Sequence, residues 1–146
     1  MKKILIPVDG SAYSKKAVEH GKMIARAFNS DVVLLNVLQV NFPLVTAGPF
    51  GQNAEYVTKL YDEAKKASEA FLQESAKEFE GIAENVETVS LHGEAADAIV
   101  DYVDKNDVDL IIMGSHGMGA IMNRLFTGSV TTKVLHHVGK PVLVVK

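Results

Sequence analysis

"DLIIMGSHGMGAIMNRLFTGSVTTKVL" runs from Asp109 to Leu135. It opens as a short apolar run, passes through a glycine-rich loop and ends as a helix pattern with Gly128-Ser129 at its apparent start. An apolar run of this length, bounded by glycine, fits a strand buried on both faces, as in a parallel sheet. The stretch therefore reads as one strand–loop–helix unit, and the rest of the chain alternates in the same way.

Toward the N-terminus, "ILIPV" (Ile4 to Val8) is strand-like. Ala17, Val18, Gly21, Ile24, Ala25 and Phe28 then fall at helical spacing, with Ser11 or Ser14 as the cap. "DVVLLNVLQV" from Asp31 is a second apolar strand. Asn41 to Asn53 is irregular, broken by two prolines and two glycines. A loop of this length reads either as a functional lid or as a surface excursion. A helix is expected from about Ala54 to Phe79, its apolar stripe including Val57, Leu60, Ala64, Ala67, Phe71 and Leu72. "NVETVSL" reads as a third strand. "GEAADAIVDYVDKN" reads as a helix with Glu94 and Asp97 in its first turns, where the dipole favours them. After the opening stretch, "PVLVVK" is the last strand.

The order β-α-β-α-β-α-β-α-β predicts an α/β fold: one open parallel sheet of five strands with helices on both faces. The expected strand order is 3-2-1-4-5. The 146 residues fit a single domain, 1–146, whose 47% hydrophobic and 23% charged composition supports a real core. A net charge of −3 offers no basic excess for nucleic acid. No run approaches the roughly 20 apolar residues of a membrane helix, no secretory signal is visible and there is no cysteine. These features are read as a soluble, cytoplasmic protein.

In such a sheet, ligands bind beyond the carboxyl ends of the strands where the strand order reverses, here between strands one and four. Pro7-Val8-Asp9-Gly10 ends the first strand and Met113-Gly114-Ser115-His116-Gly117 ends the fourth. Pro7, tolerable near a strand end, aims Asp9 into the crevice. Gly114 and Gly117 admit unusual backbone angles and close ligand approach. Gly128-Ser129 offers unpaired helix N–H groups to an anion, with Ser129 also as the helix cap. Arg124 reads as a bidentate phosphate contact or a solvated side chain. His116 reads as a phosphate donor, a proton shuttle or an exposed loop residue. Asp9 reads as a ligand contact or as an Asx turn. The phosphate loop G-x-x-x-x-G-K-[ST] is absent, and "PVDGSAYS" lacks the dinucleotide fingerprint.

Taken together, "ILIPVDGS", "LLNV", "DLIIMGSHG", "GSVTTKVL" and "KPVLVV" resemble the universal stress protein family, in the subgroup that binds ATP. The subgroup's pattern is G-x2-G-x9-G-[ST]. Gly114 and Gly117 match its first half and Gly128-Ser129 its second, across a spacer, Met118 to Thr127, of ten residues. The resemblance implies that the main chain of Val37 reads the adenine edge. It implies that Pro7, Val8 and Asp9 wall the adenine and ribose, and that Met113 and Gly114 border the ribose and α-phosphate. Gly117, Gly128, Ser129 and Val130 then hold the phosphates, with Mg2+ accompanying the ATP.

Three functions fit: an ATP-binding regulatory protein with at most slow hydrolysis, an ATPase or nucleotidyl transferase, and a nucleotide-independent interaction module. In the second, Asp9 holds metal while His116 or Arg124 stabilises charge. No Ser-His-Asp set or carboxylate pair converges on the crevice. A homodimer is expected through the C-terminal strand, an apolar sheet edge that pairing would cover. A further protein partner is open.

Overall fold

The structure, a computed structural model, describes residues 1–39, 54–117 and 128–146. The irregular segment Asn41 to Asn53, Arg124 and the spacer Met118 to Thr127 lie outside these residues. The elements follow in the order β1 (Lys3–Pro7), α1 (Ala12–Phe28), β2 (Asp31–Leu38), α2 (Ala54–Lys77), β3 (Val86–His92), α3 (Ala95–Lys105), β4 (Leu110–Gly114), α4 (Ser129–His137) and β5 (Val142–Val145). The strands form one parallel sheet in the expected order, β3-β2-β1-β4-β5.

Alternation along each strand divides the core in two. Ile4, Ile6 and Val8 of the β1 segment join Val32 and Leu34 of β2 beneath α1 and α2. Leu5 joins Val33, Leu35, Ile111 and Met113 beneath α3 and α4. The chain winds outward through α1 and α2 on one face, then returns through α3 and α4 on the other. Right-handed crossovers require that arrangement once the strand order reverses.

Local chemistry fixes the boundaries. Ser11, not Ser14, caps α1, its side chain accepting from the Ser14 amide at 3.1 Å. Asn29 closes the helix at φ 51°, with its N–H on the Ala25 carbonyl. The α2 stripe differs from its expected composition. Leu60 and Ala67 are exposed, whereas Ser68 and Ser75 are buried beside Leu72. Ser75 satisfies its hydroxyl on the Phe71 carbonyl at 3.0 Å and Ser68 on Asn36 at 2.7 Å, so serines take positions that periodicity gives to apolar residues. The helix also ends at Lys77, two residues before the fully buried Phe79.

Asp109, between α3 and β4, accepts the amides of Lys2 and Lys3 at 2.7 and 3.0 Å, pinning the start of β1. These backbone hydrogen bonds hold its carboxyl below the ordinary value of 3.8. A lowered folded-state pKa adds stability that is complete above the unfolded-state value and lost as pH falls through the folded one. Asp109→Ala is therefore expected to lower the denaturant midpoint at pH 7, the gap narrowing below pH 3.8; equal midpoints at pH 7 would refute the contribution.

Gly114 is needed for packing rather than for backbone angle: its φ is not positive, and a Cβ there would lie 2.7 Å from Tyr13 Cβ and 2.8 Å from the Tyr13 carbonyl carbon. Gly114→Ala is expected to destabilise the fold by about 1–3 kcal/mol, read in equilibrium denaturation, by forcing α1 off β4.

Candidate functional site

β1 and β4 are neighbours, yet the segments that leave them turn to opposite faces of the sheet. Pro7 is the last residue of β1, paired in register with Leu35 of β2. The Val8 N–H bonds the Leu35 carbonyl at 2.8 Å, so by ladder alternation the donor that Pro7 lacks is one that would have faced β4. The β1–β4 register ends at Leu5 and Ile111. Beyond it lies a crevice of about 320 Å³, within the size range of small-ligand sites.

On the β1 side, the Asp9 Oδ1 accepts the Ser11 amide at 2.9 Å, and its own N–H donates to Ser14 Oγ at 3.2 Å. This Asx turn, with Gly10 at φ 80°, starts α1 and leaves the carboxylate at the crevice wall. Asp9 therefore forms the Asx turn and also lines the crevice. A Cβ on Gly117 would stand 3.0 Å from Asp9 Oδ2, so a side chain there would press on the end of the Asp9 carboxylate. Neither Gly114 nor Gly117 has a positive φ, which corrects the expectation of unusual angles; Gly114 is glycine for space.

On the β4 side, Ser115 donates its N–H to Val145 at 2.8 Å and accepts the Gly128 N–H at 2.6 Å. The Thr131 hydroxyl donates to the Gly114 carbonyl at 2.8 Å. These bonds lash the start of α4 to the end of β4. Gly128, rather than Ser129, is the N-cap of α4, and no side chain caps it. The Thr132 N–H takes the Gly128 carbonyl, so the amides of Ser129, Val130 and Thr131 have no acceptor within the helix. By contrast, α1 is capped by Ser11 and α3 by Glu94, whose carboxylate accepts the Asp97 amide at 2.8 Å.

His116 stacks on Tyr13 with ring centroids 5.1 Å apart, and its Nδ1 lies 3.0 Å from Ser115 Oγ. Beside the crevice, Lys133 of α4 reaches Asp97 at 2.7 Å and Glu94 at 3.3 Å. Hydrogen bonding to Lys133 lowers the Asp97 carboxyl, and Asp97 in turn raises Lys133; with Glu94 on the same ammonium, the cluster carries two carboxylates to one cation.

Of the residues expected at the site, Pro7, Val8, Asp9, Val37, Met113, Gly114, His116, Gly117 and Val130 line the crevice. Gly128 and Ser129 stand at its rim, outside the lining, and the Gly128 amide is engaged by Ser115. Arg124 lies outside the described residues. Sequence reading missed Leu35, Asn36, Gln39, Ala95, Ile99 and Thr131, and took Ser14 only as a cap. One signal was available for Asn36: it is the lone polar residue inside the run from Val32 to Leu38.

The universal stress protein family model matches residues 1–146. Universal stress protein MJ0531 of Methanocaldococcus jannaschii is 36% identical over 149 residues, covering 99% of this chain and 82% of that protein. MJ0577 of the same organism is 30% identical over 154 residues, covering 99% and 94%. Its solved structure has a TM-score of 0.85 with this chain, at 30% identity and covering 99% of this chain and 95% of that one. A universal stress protein solved in complex with cAMP is 25% identical, with a TM-score of 0.66 over 99% of this chain and 95% of that one. With sequence and sheet order matched from end to end, this chain belongs to the universal stress protein family.

Proposed function

We propose that this chain binds ATP in the crevice between β1 and β4 and acts as a nucleotide-dependent regulatory protein. The observation that carries the reading is the uncapped start of α4. Three main-chain amides lack helical acceptors there, Val130 and Thr131 line the crevice, and Gly128 supplies no side chain to satisfy them. Such a terminus suits phosphate oxygens. The related protein in complex with cAMP supports an adenine nucleotide as the occupant. The apolar part of the crevice, from Val8, Leu35, Ile99 and Met113, suits the base, and Asp9 suits the ribose hydroxyls.

Mg2+ fits as an ion carried by the triphosphate. Among the described residues no group of three or more His, Asp or Glu could hold a metal, and Mg2+ commonly keeps waters while binding phosphate. When bound it would neutralise phosphate charge. Asp9 is the carboxylate of the described lining that would help to hold it, and one of its oxygens already accepts from Ser11. Turnover slower than about 1 s⁻¹ is expected; Asp9 and His116 are the lining residues that faster turnover would implicate.

Thermal unfolding tests the reading. Mg-ATP at 100 times its dissociation constant contributes about 2.7 kcal/mol, a midpoint rise of roughly 5–10 °C for a domain this size. Asp9→Ala should remove most of the rise. No shift with any nucleotide would favour a nucleotide-independent interaction module instead.

The same reading includes a homodimer through β5. Among the described residues, β5 pairs with β4 on one side only. Pro141 and Val145 turn their carbonyls to β4, so by alternation the Val142 and Val144 N–H groups face outward. Val144→Pro removes an outward donor and spares the bonds to β4. Sedimentation is expected to give a dimer for the wild type and a folded monomer for the variant; a wild-type monomer would refute the pairing.

A further inference from the structure

Asn36 sits in an otherwise apolar strand and is held at both ends. Its Nδ2 donates to the Val8 carbonyl at 2.7 Å. Its Oδ1 accepts from Ser68 Oγ at 2.7 Å. Ser68, 5% exposed on α2, in turn receives the Ser90 hydroxyl at 2.9 Å, because its own proton is committed to Asn36. The side-chain amide thus has one orientation, and the same residue lines the crevice.

Its consequence lies in the ladder. Along a strand, successive residues turn their N–H and C=O to alternate neighbours. The Leu35 carbonyl accepts from Val8 of the β1 segment, and the Leu38 carbonyl accepts from Gly93 beyond β3 at 3.0 Å. Val37 therefore turns its N–H and C=O toward the β1 side. The next rung would join the Val37 N–H to the Val8 carbonyl. Asn36 has taken that carbonyl, and the chain swings away at Asp9 and Gly10. A main-chain donor and acceptor are left side by side, facing the crevice beyond the end of β1.

We propose that Asn36 is a specificity-determining positioning residue: by holding the Val8 carbonyl, it keeps the Val37 N–H and C=O open for the edge of an adenine. That edge presents an amino donor beside a ring-nitrogen acceptor, the complement of the Val37 pair. Guanine presents the opposite order at the corresponding atoms. The proposal rests on the adenine-nucleotide reading above and assigns the base preference to one side chain that does not itself contact the base edge.

Two measurements test it. The first is amide hydrogen exchange on the unliganded wild type, which requires no variant to fold. The Val37 amide is expected to exchange at least about 100-fold faster than that of Leu35, whose main-chain groups also face β1 but are paired. In Asn36→Ala the Val8 carbonyl becomes available to Val37, and exchange should slow. Equal protection of Val37 and Leu35 in the wild type overturns the proposal.

The second compares Kd for ATP with Kd for purine riboside triphosphate, which lacks only the amino group. The wild type should prefer ATP by about tenfold or more, as expected for one hydrogen bond to a base edge. Asn36→Ala should bring the two within about threefold, with Ser68→Ala between them. A general loss of structure would weaken both ligands and leave the ratio unchanged, so an unchanged ratio in a folded Asn36→Ala overturns the proposal alone. A wild type that binds neither ligand overturns the nucleotide reading, and this one with it.

Discussion

The reversal of winding between β1 and β4 is the constraint from which the site follows. Right-handed crossovers send α1 and α2 to one face and α3 and α4 to the other. At the reversal, two adjacent strands send their chains away from each other, and among the described residues a crevice opens between them. Pro7 sharpens this by withholding a ladder donor on the β4 side at the last position of β1. The crevice is therefore built into the path of the backbone. What the particular sequence decides is which groups are left facing it.

Those groups are mostly main chain, and small side chains control them. Ser11 takes the role of capping α1, and Asp9 closes its own Asx turn, so the N-terminal wall is internally satisfied. The start of α4 is treated differently. The Gly128 amide is anchored on Ser115, the Thr131 hydroxyl on Gly114, and among the described residues no side chain caps the helix start. Anchoring one amide fixes the direction of the others, because the peptide planes of a helix start cannot rotate independently. The engagement of Gly128 thus aims the neighbouring N–H groups rather than weakening the proposed anion site.

Much of this was legible in the sequence. The apolar runs and helical spacings gave the strand order, and the reversal point gave the location of the crevice, since both depend on patterns spread over many residues. The glycine positions were legible, but their reason was not. Gly114 is glycine because Tyr13 of α1 packs on it, a contact between positions about a hundred apart in sequence that no local pattern records. Ser129 looked like a cap because Ser is a common capping residue, whereas the register of the helix places Gly128 there. The α2 stripe misled for a related reason. Ser68 and Ser75 are polar by type, but each has its hydroxyl satisfied inside the fold, so burial carries little penalty.

That satisfied serine changes how the β2–α2 contact is understood. Had Ser68 been apolar, the partly buried amide oxygen of Asn36 would lose the partner that fixes its orientation. Had Asn36 been apolar, the Val8 carbonyl would complete the ladder with Val37 and extend the sheet by one rung into the crevice. The two polar residues therefore make sense only as a pair. Neither is favoured by the apolar pattern of its own element, and together they stop β-pairing one residue short, where a main-chain donor and acceptor can meet a ligand.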